Sequence, residues 1–132
     1  MSELKKSENG FTLIELMVVV GIVGILSSIA VSQLEEYRIR AYNATAQSDL
    51  RNAITAQEAR YVDTSSYVNC ADALACELVL PEFSASRKSD GTSPMAVFSF
   101  VANPEDYTAM SKHAQSGDTF TYDSTTGIMA TL

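Results

Sequence analysis

One carboxylate, Glu15, lies inside an otherwise apolar run, FTLIELMVVVGIVGILSSIAV, at residues 11–31. A charged side chain at bilayer depth is costly and rare, and where one occurs it pairs with another group or carries a function. The chemistry open to Glu15 is therefore electrostatic, and it calls for a cationic partner. A second pair with possible chemistry is Cys70 and Cys76, close together in a polar stretch with no histidine nearby. Outside the cytoplasm a disulfide is their expected state. As half of a metal site they would lack two further ligands. A bridge closing so small a loop contributes at or below the typical ~2–4 kcal/mol.

The remaining candidates are weaker. His113, the only histidine, sits near a polar turn and is read as an exposed turn residue. Asp90, Glu105, Asp106, Asp118 and Asp123 could include calcium ligands, but they are scattered singly, without the dense oxygen cluster that calcium prefers. A solvated acidic surface is the better reading, so no metal and no cofactor are expected. No nucleophile–base pair, phosphate loop or paired-carboxylate arrangement stands out, so no residue is assigned a catalytic role and no enzyme is expected. The net charge of −7 on 132 residues leaves no basic patch to neutralise phosphates, which argues against a nucleic-acid partner.

The element that has to position Glu15 is the apolar run itself. About 20 helical residues span the ~30 Å hydrocarbon core, and residues 11–31 match that length. An ordinary membrane anchor explains the length and leaves Glu15 unpaired. A cleaved secretion signal would use Lys5 and Lys6 as its charged region and LSSIA, before Val31, as its cleavage site. Against it, the apolar part exceeds the usual 7–15 residues and Glu15 interrupts it near its start.

A third reading rests on resemblance. GFTLIEL, residues 10–16, follows the short leader MSELKKSENG and heads the apolar run. It resembles the processing site of type IV pilins and of the related pseudopilins of type II secretion. The resemblance implies cleavage by a prepilin peptidase between Gly10 and Phe11, followed by N-methylation of Phe11. A peptidase subsite that grips bare backbone would exclude any Cβ at Gly10. The family's glutamate falls on Glu15, and its implied partner is the cationic amino group of Phe11 on an adjoining subunit. Pairing there offsets desolvation and penalises any axial register that leaves the charges apart, so Glu15 would set register during assembly. Lys5 and Lys6 on one side and Arg38 and Arg40 on the other nearly balance the positive-inside rule. It is the resemblance that places the C-terminal part outside.

Beyond the run a helical period continues. Leu34, Tyr37, Ala41 and Ala44 share one stripe, and Leu50, Ala53, Ile54, Gln57 and Tyr61 continue it, with Glu35, Glu36, Arg38 and Arg40 on other faces. No proline interrupts residues 11–80, so one helix of roughly 75 Å is expected over residues 12–61. Such a helix exceeds so small a domain, and its first half is expected to lie in membrane before assembly and in a filament core afterwards. YRIRAYNATAQSDLRNA, residues 37–53, resembles the short-helix pilins of metal-reducing bacteria. Ser32 stands where related pilins usually carry proline, so a rigid stop is missing, while Gly21, Gly24, Ser27 and Ser28 weaken the segment. The aromatics Phe11, Tyr37, Tyr42, Tyr61 and Tyr67 have a spacing similar to that of pilins proposed to carry electrons, and rings at helical spacing also serve as packing contacts.

Residues 63–94 read as a loop, with one or two helical turns in ADALACELVL. The period then changes to two, in MAVFSFV, YTAMSKH, TFTYD and GIMATL, separated by the turn signals NPED, AQSGD and STTG. This predicts an antiparallel meander of about four strands whose apolar face, carrying Phe98 and Phe100, covers the C-terminal half of the helix. The fold class is α+β, as in type IV pilins. The expected organisation is a leader at 1–10, a transmembrane and filament-core helix at 11–31, an amphipathic helix at 32–61 and a globular head at 62–132. The resemblance implies a structural pilus subunit, a homopolymer, made in the inner membrane and assembled by the pilus machinery into a bacterial surface filament for adhesion, motility or extracellular electron transfer. The alternative is a pseudopilin of a type II secretion system.

Overall fold

The computed structural model describes residues 10–87 and 96–132. Residues 1–9 of the leader, with Lys5 and Lys6, and Asp90 of the acidic set lie outside the described residues, as does Met95 at the start of the first expected strand. One helix, α1, runs unbroken over Leu13–Thr64, and a short α2 covers Ala73–Val79. Four strands follow: β1 Ala96–Ala102, β2 Tyr107–His113, β3 Thr119–Asp123 and β4 Ile128–Thr131. They form one antiparallel meander in the order β1-β2-β3-β4. The chain is therefore α+β, a long N-terminal helix and a four-stranded sheet. It divides into two compact units, residues 1–37 and 38–132.

In the first unit α1 is continuous through Gly21, Gly24 and Ser32. Two serine hydroxyls bond back onto the helix, Ser28 Oγ to the Ile25 carbonyl at 2.8 Å and Ser32 Oγ to the Ile29 carbonyl at 2.9 Å. These bonds give each hydroxyl a backbone acceptor within an otherwise apolar stretch of helix. None of this segment's large apolar side chains is buried.

The second unit holds the core. Strand β2 alternates strictly, with Tyr107, Ala109, Ser111 and His113 inward. Register sets Phe98 and Phe120 on either side of Ser111, and Phe100 beside Ala109. Against this face α1 presents Ala46, Leu50 and Ala53, all fully buried. The alanines let helix and sheet approach closely enough for Ser111 Oγ to donate to the Ala46 carbonyl at 2.9 Å. Of the expected stripe, Leu50, Ala53 and Gln57 are buried and Ile54 and Tyr61 half-buried. Leu34, Tyr37, Ala41 and Ala44 are exposed; on α1 half-burial begins at Tyr42 and Asn43, and full burial at Ala46.

Polar side chains of α1 hold the loop of residues 65–87 in place. Ser65, at φ 52°, ends the helix in the left-handed region. Gln57, fully buried, donates through Nε2 to the Val68 carbonyl at 2.6 Å and accepts from the Val68 N–H at 3.3 Å. Asp49, also buried, accepts from Ser86 N–H at 3.0 Å and Ser86 Oγ at 2.6 Å. Each bond satisfies a buried group that would otherwise be costly. Between these two clamps, Asp72 caps α2 by accepting from the Ala75 N–H at 2.8 Å. Cys70 and Cys76 form a disulfide, and Cys70 bridges the outer edge of β1 through mutual backbone bonds with Phe100.

Candidate functional site

The residues singled out at the head of the apolar run come together. Gly10 and Phe11 precede α1 in exposed, non-helical backbone, and Phe11 is 92% exposed. A Cβ placed on Gly10 would meet no atom within 4 Å, and its φ lies outside the left-handed region. The fold itself therefore has no need of glycine there.

Thr12 and Glu15 open the helix as a capping box. Glu15 Oε2 accepts from the Thr12 N–H at 2.8 Å and from Thr12 Oγ1 at 2.9 Å, while Thr12 Oγ1 accepts from the Glu15 N–H at 3.3 Å. The first turn of a helix leaves N–H groups without partners, and this reciprocal pair satisfies two of them. A carboxylate also sits favourably at the positive end of the helix dipole. Thr12 was the residue missed on reading the sequence. Its signal was present in T-x-x-E directly before an apolar run.

Downstream of this head, residues 13–31 carry Leu, Ile, Val and Met side chains that are each more than half exposed. By length and composition the helix can cross a membrane. An apolar surface this large and continuous marks an interaction surface for lipid or protein.

The aromatic residues divide. Tyr37 is 66% exposed. Tyr42 stacks on His113 with ring centroids 4.2 Å apart and planes 4° apart. Tyr61 stacks on Tyr67 at 4.4 Å, and Tyr67 meets Tyr107 at 4.7 Å. Both of these last phenols donate to Glu58, Tyr67 at 3.2 Å and Tyr107 at 2.7 Å. Burial, then the bond to Glu58 and its charge, push the Tyr107 phenol well above its usual range. Burial and the Glu58 charge move Tyr67 the same way.

His113 corrects an expectation. It is buried, 3% exposed, not an exposed turn residue. It is the last inward position of β2, and its Nδ1 accepts the Gln115 N–H at 3.1 Å, so the ring belongs to the packing against Tyr42. The acids have separate local duties. Asp118 accepts from Asn43 Nδ2, and Asp106 accepts from the Asn103 side chain. Asp123 caps its turn through the hydroxyl and backbone N–H of Thr125, bonds that hold its carboxyl below the usual range. Among the described residues no group of three or more His, Cys, Asp or Glu is placed to hold a metal.

Comparison with known proteins meets the same N-terminal stretch. Residues 5–31 match the family model described as the prokaryotic N-terminal methylation motif. A protein named "Fimbrial protein" from Pseudomonas aeruginosa is 41% identical over 66 residues, which is 50% of this chain and 43% of that relative. "Type IV major pilin protein PilA" of Myxococcus xanthus is 35% identical over 72 residues, 54% of this chain and 33% of the relative. "Type IV wide pilus major component PilA4" of Thermus thermophilus is 34% identical over 64 residues, 48% of this chain and 49% of the relative. The matches span less than half the length of each of these relatives.

Proposed function

We propose that this chain, which carries the prokaryotic N-terminal methylation motif and resembles type IV pilins over its N-terminal half, is a structural, non-enzymatic subunit of a type IV pilus. The observation that carries the reading is the apolar half of α1, whose large side chains are all exposed, headed by Gly10, Phe11 and the capped Glu15. A surface of that kind needs a cover. The bilayer supplies one for the precursor, and the helices of neighbouring copies supply it after assembly. Contacts of this head-to-tail kind do not close on themselves, so they generate an open helical filament at the cell surface.

In this reading a prepilin peptidase cuts after Gly10, at a glycine that the fold itself does not require. Phe11 then carries the new, methylated amino terminus. Its cation lies one residue from Thr12, whose backbone and hydroxyl already hold the Glu15 carboxylate. The cap keeps that carboxylate oriented at the helix entrance, and the amino group of an adjoining copy neutralises it when water is excluded. A copy out of axial register would leave both charges buried and unpaired, which is strongly unfavourable. Adhesion, motility or extracellular electron transfer is the role such a filament would serve.

The test is the intact mass and N-terminal sequence of the chain recovered from sheared surface filaments and from membranes. A chain beginning at methylated Phe11 in the filament fraction is the expected result. A chain beginning at Val31 would mean that the apolar run is an ordinary secretion signal, and the reading would fall.

A further inference from the structure

At the C-terminal end of α1 the backbone brings two phenols face to face. Ser65, at φ 52°, stops the helix, and its N–H donates to the Tyr61 carbonyl at 2.8 Å. The chain then runs back along the helix, far enough for Val68 to bond Gln57. On the way the Tyr67 ring comes to lie on the Tyr61 ring, with centroids 4.4 Å apart and planes 20° from parallel. Both rings are half-exposed, so a small oxidant in solution can reach them. Tyr67 also donates to Glu58 Oε2 at 3.2 Å, and Glu58 is exposed. The next ring, Tyr107, is buried and meets Tyr67 at a tilt of 57°.

We propose that Tyr61 and Tyr67 are a site of oxidative cross-linking, joined as dityrosine when hydrogen peroxide and an oxidant of the peroxidase class act on the chain. Each phenol gives up one electron and its phenolic proton, and Tyr67 releases its proton to Glu58. The two phenoxyl radicals couple through ring carbons beside the hydroxyls, Cε to Cε. Each joined carbon then loses its hydrogen as a proton while the adjacent oxygen regains one, so both phenols are restored. In sum, two hydrogens leave the chain and reduce one hydrogen peroxide to two waters. The new bond leaves each ring through its face, which suits the stacked pair and not the tilted, buried Tyr107. Holding the two rings in contact replaces a diffusional encounter with an intramolecular step. Both cysteines are tied in the disulfide, so no thiol of the chain quenches the radicals. The product staples the end of α1 to the loop across Ser65. All of these groups lie in the second unit, so the reaction does not depend on assembly.

The full-length chain in detergent micelles is treated with hydrogen peroxide and a haem peroxidase, then read as intact mass and as peptides. The expected product is a monomer that has lost two hydrogens. After thiol reduction, cleavage before Asp49, Asp63 and Asp72 puts the two rings on separate peptides, residues 49–62 and 63–71, which are expected to remain joined. Tyr61→Phe and Tyr67→Phe keep the rings and their packing, and each is expected to abolish the joined pair. Glu58→Gln, which keeps an acceptor oxygen but takes no proton, is expected to slow its appearance. Unfolding in urea before treatment is expected to remove most of it. Unmodified monomer mass from the folded chain would overturn the site. So would dityrosine found only in linked dimers through the exposed Tyr37, or equal yields from the folded and the unfolded chain. An unchanged rate in Glu58→Gln would overturn Glu58 as the destination of the proton.

Discussion

The Glu15 carboxylate is held by Thr12 twice, through the backbone N–H at 2.8 Å and the hydroxyl at 2.9 Å. The acid that looks anomalous in an apolar run is therefore already part of the helix start. Its capping role needs only one of its oxygens, because both bonds converge on Oε2. The other oxygen remains for a cation from elsewhere, and so the cap and an intersubunit pair can coexist.

Glu15→Ala should leave processing intact and sharply reduce sheared filaments. Thr12→Val keeps one bond and loses the hydroxyl, which should loosen the first turn by about 1 kcal/mol. Faster amide exchange over residues 13–16 in micelles would report it, and Thr12→Ser should behave like wild type. Normal filament yield from Glu15→Ala would remove the register argument.

Gln57→Leu keeps the volume of a fully buried residue but strands both backbone groups of Val68. The expected loss is about 1–3 kcal/mol in denaturant titrations of the detergent-solubilised chain. Asp49→Ala should also destabilise, by freeing the other end of the same loop at Ser86. The two losses should fall short of additive if the loop between them releases as a unit.

Reducing Cys70–Cys76, or replacing both with serine, should lower the melting point by an amount worth about 2 kcal/mol, since the closed loop is short. Proteolysis should then begin around α2, whose buried Cys76 is one of its anchors.

Alkaline pH gives a signed test. The Tyr107 and Tyr67 phenols hold their protons more tightly when folded than their ordinary value of 10.0 would allow. The folded state then binds more protons than the unfolded chain above that value. Their contribution is complete below pH ~10 and is lost progressively as pH rises beyond it. Tyr107→Phe should flatten this alkaline limb and, by removing the bond to Glu58, lower stability at pH 8 by about 1.5–3 kcal/mol. An unchanged alkaline limb in Tyr107→Phe would show that another group controls it.

The elements were legible because their signals are local. Three turn signals separated four period-two runs, and the strands fall on them with ends shifted by a residue or so. The absence of proline carried α1 through in one piece. The route of the middle loop was not legible, because Gln57–Val68 and Asp49–Ser86 pair across 11 and 37 residues and no short window contains both partners. His113 shows a different failure. Counting by twos from Tyr107 places it inward, but its residue type and the neighbouring turn suggested solvent. At the helix head, T-x-x-E was readable in four residues, while its use of a single carboxylate oxygen needed coordinates.

The bridge between Cys70 and the edge of β1 has a consequence for a crowded polymer. Sheets brought close together can zip edge to edge, and an uncovered strand is the template for that error. Here one border is sealed by Cys70 on Phe100 and by Asn69 Oδ1 on the Ala102 N–H at 2.6 Å. The other border, β4, is only four residues long. In the proposed filament, growth through helices would thereby be kept separate from edge-to-edge pairing of strands.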